Sequence, residues 1–317
     1  MARWTVANIP SQSGRSAVVT GTGGLGYEIA LGLARAECAV IIAGRNPEKG
    51  RNATARIRRE VPSATIEFEV LDLASIRSID AFGAKLRQQR GCLDLLVNNA
   101  GVMVPPERQA TEDGFELQFG TNYLGHFALT QQLLPVLTRG KGSRVVTVSS
   151  IAARGGSIDF HNLNAERAYQ ARKTYAQSKL ACLMFALELQ RRSDLGGWGI
   201  ASIAAHPGVS RTDLLLNAPG RFSLERISRT LLPFAFQPAA QGALPVLYAA
   251  TASDAKGGAY YGPAGMSETR GYPADAKIPA AALNEADATR LWDISEMLVA
   301  KQRWQSHRVP GPHPHGH

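Results

Sequence analysis

The stretch Thr174–Lys179, which reads TYAQSK, places a tyrosine four residues before a lysine in a segment of helical character. Positions i and i+4 of an α-helix share a face, so the phenol of Tyr175 and the amine of Lys179 can reach a common point. A positive charge beside a phenol favours the phenolate, and such a pair can donate or accept a proton near neutral pH. The same spacing also occurs on solvated helices, so other motifs must support the chemistry.

A glycine-rich turn supplies one such motif. In VVTGTGGLG, Gly21, Gly23 and Gly26 follow a β-rich run and precede a segment with helical spacing. Glycines permit a tight turn and let the backbone approach a pyrophosphate, which then lies at a helix N-terminus where N–H groups point outward. In this strand-to-helix context, G-x-G-x-x-G predicts a dinucleotide site.

The end of the second strand distinguishes the two nicotinamide dinucleotides. An acidic residue there binds the ribose 2′-hydroxyl of NAD, whereas an arginine accommodates the 2′-phosphate of NADP. The run IIAGRN contains Arg45, which no carboxylate flanks. Its guanidinium suits a phosphate in charge and in geometry. We therefore predict NADP, with NAD as the alternative cofactor, while a solvated Arg45 is the alternative explanation of this residue.

Strand-like and helical segments alternate around these motifs. The strand-like runs are SAVVTG, CAVIIAG, ATIEFEVLD, LDLLVNN, SRVVTVSS and GIASIAAHPG, and the helices between them include 47–60, 114–137 and 175–191. Strands alternating with helices require a parallel sheet covered on both faces. The sequence predicts a single α/β domain of the doubly wound Rossmann type over 1–300, followed by a flexible tail over 301–317.

Composition limits the class of protein. The 317 residues, 44% of them apolar and 19% charged, suit a globular protein with a sizeable core. No apolar run approaches the roughly 20 residues that span a bilayer, and no signal-peptide core is present, so we expect a cytoplasmic protein that does not bind membranes. Three widely spaced cysteines indicate neither disulfides nor a metal site. The net charge of +9 is scattered and accompanies no nucleic-acid motif.

Six motifs, taken in order, carry a family resemblance. TGTGGLG, NNAG, NYLGHF, VSS, YAQSK and HPGVSRT resemble the short-chain dehydrogenase/reductase family over residues 14–261. The runs IDFHNLNAERAYQARKTYAQSKLAC and GYPADAKIPAAALNEADATRLWDISEML are similar to its retinol-dehydrogenase-like branch. The resemblance implies an enzyme that interconverts an alcohol and a ketone or aldehyde, with a substrate lid around 211–237.

The resemblance also assigns residues. Ser150 would contact the substrate oxygen, Tyr175 would be the general acid–base, and Lys179 would bind the nicotinamide ribose and favour the tyrosinate. Asn122 would anchor a water that leads to solvent. Ser149 is the alternative serine, although its side chain should point away from that of its neighbour. Asn98 would support the sheet edge. The implied cofactor-binding residues are Gly21, Gly23, Gly24, Leu25, Gly26, Arg45, Asp72, Leu73, Asn99, Ala100, Gly101, Tyr175, Lys179, Pro207, Gly208, Ser210 and Thr212.

Two features depart from the family pattern. The glycine signature TG-x-x-x-G-x-G is one residue shorter here, and the missing position often carries a side chain that helps to hold the adenosine phosphate. The interval from Ser150 to Tyr175 is longer than in many members, and we expect it to build a wall of the substrate cleft.

The composition of the predicted lid limits the chemical class of the substrate. Residues 211–237 are rich in leucine and phenylalanine, which favours a bulky lipophilic substrate. Ordinary helix packing explains the same pattern, and the arginines of this segment suit an anionic substrate instead.

Two other functions are alternatives. One is a catalytically idle NADP-binding sensor, and the other is a nucleotide-sugar epimerase or dehydratase, which also uses a Tyr-x-x-x-Lys pair. The resemblance further implies a homodimer or homotetramer built through the helices 114–137 and 175–191.

Overall fold

The computed structural model describes residues 3–209 and 237–306, in which strands alternate with helices. Within these two ranges the strands are β1 Ser16–Thr20, β2 Ala39–Gly44, β3 Ile66–Val70, β4 Leu95–Asn98, β5 Arg144–Val148, β6 Ala201–Ala205, β7 Tyr260–Gly265 and β8 Arg270–Asp275. The α-helices are α1 Gly24–Arg35, α2 Pro47–Glu60, α3 Ile76–Gln89, α4 Gly125–Leu137, α5 Ala171–Gly196, α6 Ala239–Thr251 and α7 Glu285–Ser306. A π-helix, Phe119–Leu124, precedes α4, and 3₁₀ helices form at Val6–Asn8, Ile151–Gly155 and Ala280–Leu283.

The strands form one sheet in the order β3-β2-β1-β4-β5-β6-β7-β8. Neighbouring strands are parallel, except that β8 runs antiparallel to β7. The strand order reverses between β1 and β4, and in such sheets ligands bind at this switch point, outside the carboxyl ends of the strands. The predicted doubly wound α/β fold is therefore confirmed, with an antiparallel strand added at one edge.

Strands β1, β2, β4, β5 and β6 are buried on both faces of the sheet, which is why they are apolar at most positions. Alternate residues of β2 illustrate this burial. Ile41 packs with Phe82 and Phe127 in the core on one face, whereas Ile42 packs with Ile29 in the core on the other. Helices α1, α2 and α6 cover the second face, and α3, α4, α5 and α7 cover the first.

Several element boundaries differ from those that the sequence predicts. The helix predicted over 114–137 is α4 preceded by the π-helix, and the helix predicted from Tyr175 already begins at Ala171. Helix α7 continues to Ser306, so residues 301–306 are helical where a tail was predicted. The sequence did not predict β7 and β8, because their glycines and prolines have low strand propensity. The predicted lid lies outside the described residues except for Gln237.

Helix α7 packs across α4 and α5, the two helices through which the sequence predicts assembly. The Trp292 ring stands edge-on to Phe127 of α4, with centroids 4.9 Å apart, and stacks on Phe185 of α5 at 5.8 Å. The guanidinium of Arg192, also on α5, lies 4.5 Å from the centroid of the Trp292 ring. In the two described ranges, no helix has the length and apolar character needed to cross a membrane.

Candidate active site

A cleft of about 630 Å³ lies at the carboxyl ends of the parallel strands, at the switch point of the sheet. It brings together most of the predicted site residues, namely Gly21, Gly23, Gly24, Leu25, Arg45, Asp72, Leu73, Asn99, Ala100, Gly101, Ser150, Tyr175, Lys179, Pro207 and Gly208. Gly26 and Asn122 do not line this cleft. Ser210 and Thr212 lie outside the described residues.

The glycine turn connects β1 to α1 with backbone conformations that favour glycine. Gly21 has φ of 101° and Gly24 has φ of 50°, both in the left-handed region. A Cβ atom on Gly26 would overlap the carbonyl oxygen of Gly21, which explains why a residue outside the cleft must still be glycine. Helix α1 follows Gly23, whose lack of a side chain leaves the first N–H groups of the helix available to an anion.

The NNAG loop is fastened to the end of β1 by a buried hydroxyl. The Thr20 Oγ1 atom accepts the N–H groups of Asn99, at 2.8 Å, and of Ala100, at 3.0 Å. His126 Nδ1 lies 2.9 Å from the carbonyl oxygen of Asn122, and because a carbonyl only accepts, Nδ1 carries the proton. The His126 Nε2 atom is then an acceptor for the Thr20 hydroxyl at 2.9 Å. Burial lowers the pKa of His126 to about 4, which keeps this ring neutral.

Two cations mark the end of the cleft beside β2 and α2. Arg45 and Lys49 both line the cleft, are exposed, and have no side-chain partner among the residues that the structure describes. Asn46 caps α2 by accepting the Lys49 N–H at 3.0 Å, which fixes the start of this helix against the cleft. A Cβ atom on Gly44 would lie 2.9 Å from the Thr22 methyl group, so the shortened glycine turn packs directly on the end of β2.

Sequence reasoning missed Lys49. Arg45 precedes Asn46, the N-cap of α2, so helical spacing does not relate it to Lys49, and the placement of α2 against the cleft brings the two cations to the same end. The sequence suggested that Arg45 lacked a partner because the glycine turn is short. Lys49 supplies a second cation from α2 instead.

Ser150, Tyr175 and Lys179 converge on the cleft from β5 and α5. Lys179 is 4% exposed, and its Nζ atom donates to the carbonyl oxygen of Val148 at 3.0 Å, which holds α5 against the end of β5. The hydroxyl of Ser149 donates to the Lys179 carbonyl at 2.7 Å and is engaged in packing. The hydroxyl of Ser150 lines the cleft and caps the Ile151–Gly155 helix. Both serines line the cleft, and the choice of Ser150 over Ser149 as the serine that contacts the substrate stays a prediction.

Asn122 connects elements behind the cleft. Its Oδ1 accepts the Val102 N–H at 2.7 Å, and its Nδ2 donates to Val102 O and to Ser178 Oγ, each at 3.0 Å. The Asn122 carbonyl oxygen accepts from His126 and from the Cys182 thiol, the latter at 3.1 Å. The asparagine therefore bridges the loop after β4 and helix α5, and the water contact expected for it stays a prediction.

Asp72 and Asn98 occupy the positions that the sequence assigned to them. Asp72 lines the cleft, and its Oδ1 accepts the Ala74 N–H at 2.9 Å. Asn98 is buried at the end of β4 and donates to the Thr130 hydroxyl at 3.1 Å. In the described part of the chain, no group of three or more His, Cys, Asp or Glu side chains is arranged to hold a metal ion.

The cleft lining also includes apolar side chains that the sequence did not single out, namely Val102, Met103, Ile151 and Val209. Within the interval between Ser150 and Tyr175, Ile151 and Ala152 line the cleft. Much of the remaining interval packs on the loop after β4, for example through the Tyr169 hydroxyl, which donates to Pro105 O at 2.6 Å. The expectation that the longer interval builds a wall of the substrate cleft stays a prediction.

Comparison with known proteins groups this chain with a family of oxidoreductases. A family model described as short chain dehydrogenase matches residues 15–219. Polyprenol dehydrogenase of Mus musculus is 43% identical over 254 residues, which cover 78% of this chain and 75% of that protein. Retinol dehydrogenase 13 of Mus musculus is 39% identical over 312 residues, which cover 96% of this chain and 88% of that protein.

Solved structures share the fold. The crystal structure of an uncharacterized protein from Mycobacterium paratuberculosis is 36% identical, with a TM-score of 0.78 over 94% of this chain and 98% of that chain. The NADP active-site complex of RhlG from Pseudomonas aeruginosa is 24% identical, with a TM-score of 0.63 over 79% of this chain and 94% of that chain.

Proposed function

Because the chain belongs to the short-chain dehydrogenase/reductase family, in its retinol-dehydrogenase-like branch, we propose that it is an NADP-dependent oxidoreductase that interconverts an alcohol and a ketone or aldehyde. One observation carries the proposal: Ser150, Tyr175 and Lys179 line the same cleft as the glycine turn and the two unpaired cations. A catalytically idle NADP-binding sensor would need the glycine turn and the cations but has no use for Ser150 and Tyr175.

The residues of the cleft fit a nicotinamide dinucleotide from end to end. The backbone of the glycine turn and the N-terminus of α1 would receive the pyrophosphate, and Asp72 would contact the adenine end. Lys179 would hold the nicotinamide ribose. The bound cofactor supplies or accepts the hydride at the substrate carbon. Tyr175 gives or takes the proton at the substrate oxygen, to which Ser150 makes a hydrogen bond.

The preference for NADP rests on Arg45 and Lys49. Both side chains border the cleft without an acidic partner among the described residues, so a phosphate dianion would gain two charge-assisted contacts. The ribose hydroxyl of NAD offers neither cation a negative charge, which makes NAD the weaker ligand.

The substrate that we propose is a bulky lipophilic alcohol, aldehyde or ketone. The apolar lining formed by Met103, Ile151 and Val209 supports this class, because it desolvates apolar groups next to Tyr175. The relatives named polyprenol dehydrogenase and retinol dehydrogenase 13 support the same class. A panel of carbonyl substrates graded by size and charge, followed as NADPH oxidation, tests it. A kcat/KM that falls steadily with apolar bulk contradicts a lipophilic substrate.

Replacement of the general acid–base tests the reaction itself. Tyr175→Phe should lower kcat by about 10²–10⁴-fold, because the substrate oxygen loses its proton partner, while the dissociation constant for NADPH stays nearly the same. Tyr272→Phe is a matched control, since Tyr272 lies under Arg3 and outside the cleft lining. Turnover retained in Tyr175→Phe contradicts the mechanism.

Net oxidation of NADPH by a simple ketone excludes an epimerase or dehydratase, because those enzymes regenerate their nicotinamide in each cycle.

A further inference from the structure

A chain of polar side chains connects the segment after Ser150 to the loop after β6. Arg154, in the 3₁₀ helix capped by Ser150, forms an ion pair with Glu268, which lies in the turn between β7 and β8. The Glu268 Oε2 atom lies 2.9 Å from His206 Nε2. His206 is the residue immediately before Pro207 and Gly208, both of which line the cleft. The chain thus runs from the Ser150 segment to the Pro207–Val209 loop.

The hydrogen bonds of His206 determine which ring nitrogen carries the proton. Its Nδ1 atom accepts the N–H of Gly208 at 3.2 Å, so Nδ1 is unprotonated. The proton of the neutral ring is therefore on Nε2 and is donated to Glu268. By accepting this proton, the carboxylate of Glu268 fixes the tautomer of His206. In this tautomer Nδ1 remains an acceptor for the Gly208 N–H.

The ring of His206 is closely surrounded by its neighbours. The ring is fully buried, and a Cβ atom on Gly262 of β7 would overlap it. The Tyr260 ring packs beside it, with the two centroids 5.1 Å apart. The other oxygen of Glu268, Oε1, accepts the Lys277 N–H at 3.0 Å. Both carboxylate oxygens are therefore occupied by donors.

The turn that carries Glu268 adopts a backbone conformation that non-glycine residues rarely adopt. Met266, Ser267 and Glu268 have φ values of 48°, 55° and 67°, three consecutive left-handed residues. Arg154 donates to the carbonyl oxygen of Ser267 at 3.3 Å and so holds this turn as well as its carboxylate. Such conformations persist where surrounding contacts determine them, and they are concentrated at functional sites.

The same turn holds the Pro207–Val209 loop from its other side. Val209 N–H donates to the carbonyl oxygen of Thr269 at 2.8 Å. Gly208 has φ of 67°, and a Cβ atom there would overlap the Thr269 carbonyl oxygen. The loop is thus fixed at Gly208 by His206 and at Val209 by the turn between β7 and β8.

We propose that His206 is a positioning residue for the cofactor, that it holds the Pro207–Val209 loop in its binding conformation, and that Glu268 and Arg154 maintain its tautomer and orientation. The inference rests on the proposed function, because it takes Pro207 and Gly208 to contact the nicotinamide end of NADP. Arg154, His206 and Glu268 take no part in the reaction itself. Their effect is on the affinity for the cofactor.

The first experiment measures the dissociation constant of NADPH, by its fluorescence, for three histidine variants. His206→Leu removes the acceptor and should weaken NADPH binding roughly three- to tenfold, the equivalent of one lost hydrogen bond. His206→Asn should restore binding, because an asparagine oxygen accepts the N–H two residues later in an Asx-turn. His161→Leu, at an exposed histidine outside the chain of contacts, is the matched control and should bind like the parent.

The second experiment tests the role of Glu268. Both carboxylate oxygens accept hydrogen bonds, whereas a glutamine must turn its NH₂ group toward one of the two donors. Glu268→Gln should therefore weaken NADPH binding in the parent, with a smaller change in kcat at saturating NADPH. In the His206→Asn background its effect should be smaller, because asparagine has no tautomer to fix and only the contacts of Glu268 with Arg154 and Lys277 are then changed.

The outcomes separate the inference from the function on which it rests. The inference is overturned if the parent binds NADPH and His206→Leu binds it equally well, or if His206→Asn is no better than His206→Leu. It is also overturned if Glu268→Gln has the same effect in both backgrounds. A parent that binds no nicotinamide dinucleotide overturns the proposed function and the inference together. Melting temperatures of all variants show whether a loss of binding is a loss of folding.

Discussion

Charge reversal at Arg45 is the sharpest test of cofactor preference. The side chain borders the cleft at the end of β2 with no partner among the described residues, so Arg45→Asp breaks no existing contact of the protein. It removes a guanidinium and places a carboxylate beside the proposed 2′-phosphate. A hydrogen bond to a charged group contributes about 1.5–3 kcal/mol, which corresponds to a loss of roughly 10- to 150-fold in NADPH affinity. Repulsion by the new carboxylate adds to this loss.

Affinity for NADH should change much less, because its ribose carries no phosphate at that position and an aspartate can accept a hydrogen bond from the 2′-hydroxyl. Lys49→Gln should weaken NADPH binding in the same direction but by less than Arg45→Asp, since it removes a charge without reversing it. Both cations are exposed, so these losses should shrink as ionic strength is raised.

The assay is fluorescence titration of parent and variants with NADPH and with NADH at one ionic strength. Arg51→Asp is the matched control, because Arg51 is exposed on α2, does not line the cleft and gives the same change in net charge. Two results would refute the reasoning. One is a parent protein with equal affinity for the two cofactors. The other is an equal loss of NADPH affinity in Arg45→Asp and Arg51→Asp.

Two further predictions concern stability and assembly. Burial lowers the pKa of His126 and of His206 to about 4, below the reference of 6.5, so the unfolded chain binds more protons below pH 6.5. The free energy of unfolding should therefore fall as pH decreases from about 6.5 toward 4, by about 2 kcal/mol per histidine at pH 5. Urea unfolding at pH 7 and pH 5 measures this, and equal stabilities would contradict it. Because α7 packs on both α4 and α5, it occupies part of the surface through which a homodimer or homotetramer is predicted to form. Sedimentation velocity measures the assembly state, and a monomer would contradict the predicted homo-oligomer.

The sequence predicts the cleft well because its residues follow strands. Gly21, Asn99, Ser150 and Pro207 each lie one or two residues after the end of a strand, and the carboxyl ends of parallel strands meet at one edge of the sheet. Residues that follow different strands in the sequence are therefore predicted to lie close together, even though no long-range contact is known. Tyr175 and Lys179 add a second regularity, since helical spacing alone places them one turn apart.

The roles of residues that depend on a tertiary contact cannot be predicted in this way. Lys49 belongs to a basic segment that includes Arg51, Arg56 and Arg58, and such a pattern equally predicts a solvated helix face. The direction of its side chain follows from the placement of α2 against the cleft. The π-helix that carries Asn122 could not be predicted from the sequence either, because residue propensities do not distinguish i→i+5 from i→i+4 hydrogen bonding.

The contacts of His206 show why such features must be tested by affinity rather than by stability. Arg154, His206 and Glu268 come from separate parts of the chain, and the histidine and the glutamate are 62 positions apart, so no local pattern connects them. The Arg154–Glu268 ion pair is only partly buried, with side chains 32% and 18% exposed, and the presence of such a pair is weak evidence for a role in folding. A cluster that instead fixes the tautomer of one histidine acts on the loop that this histidine holds. Its contribution should then be found in the dissociation constant of NADPH and in the rescue by asparagine, even where the melting temperature does not change.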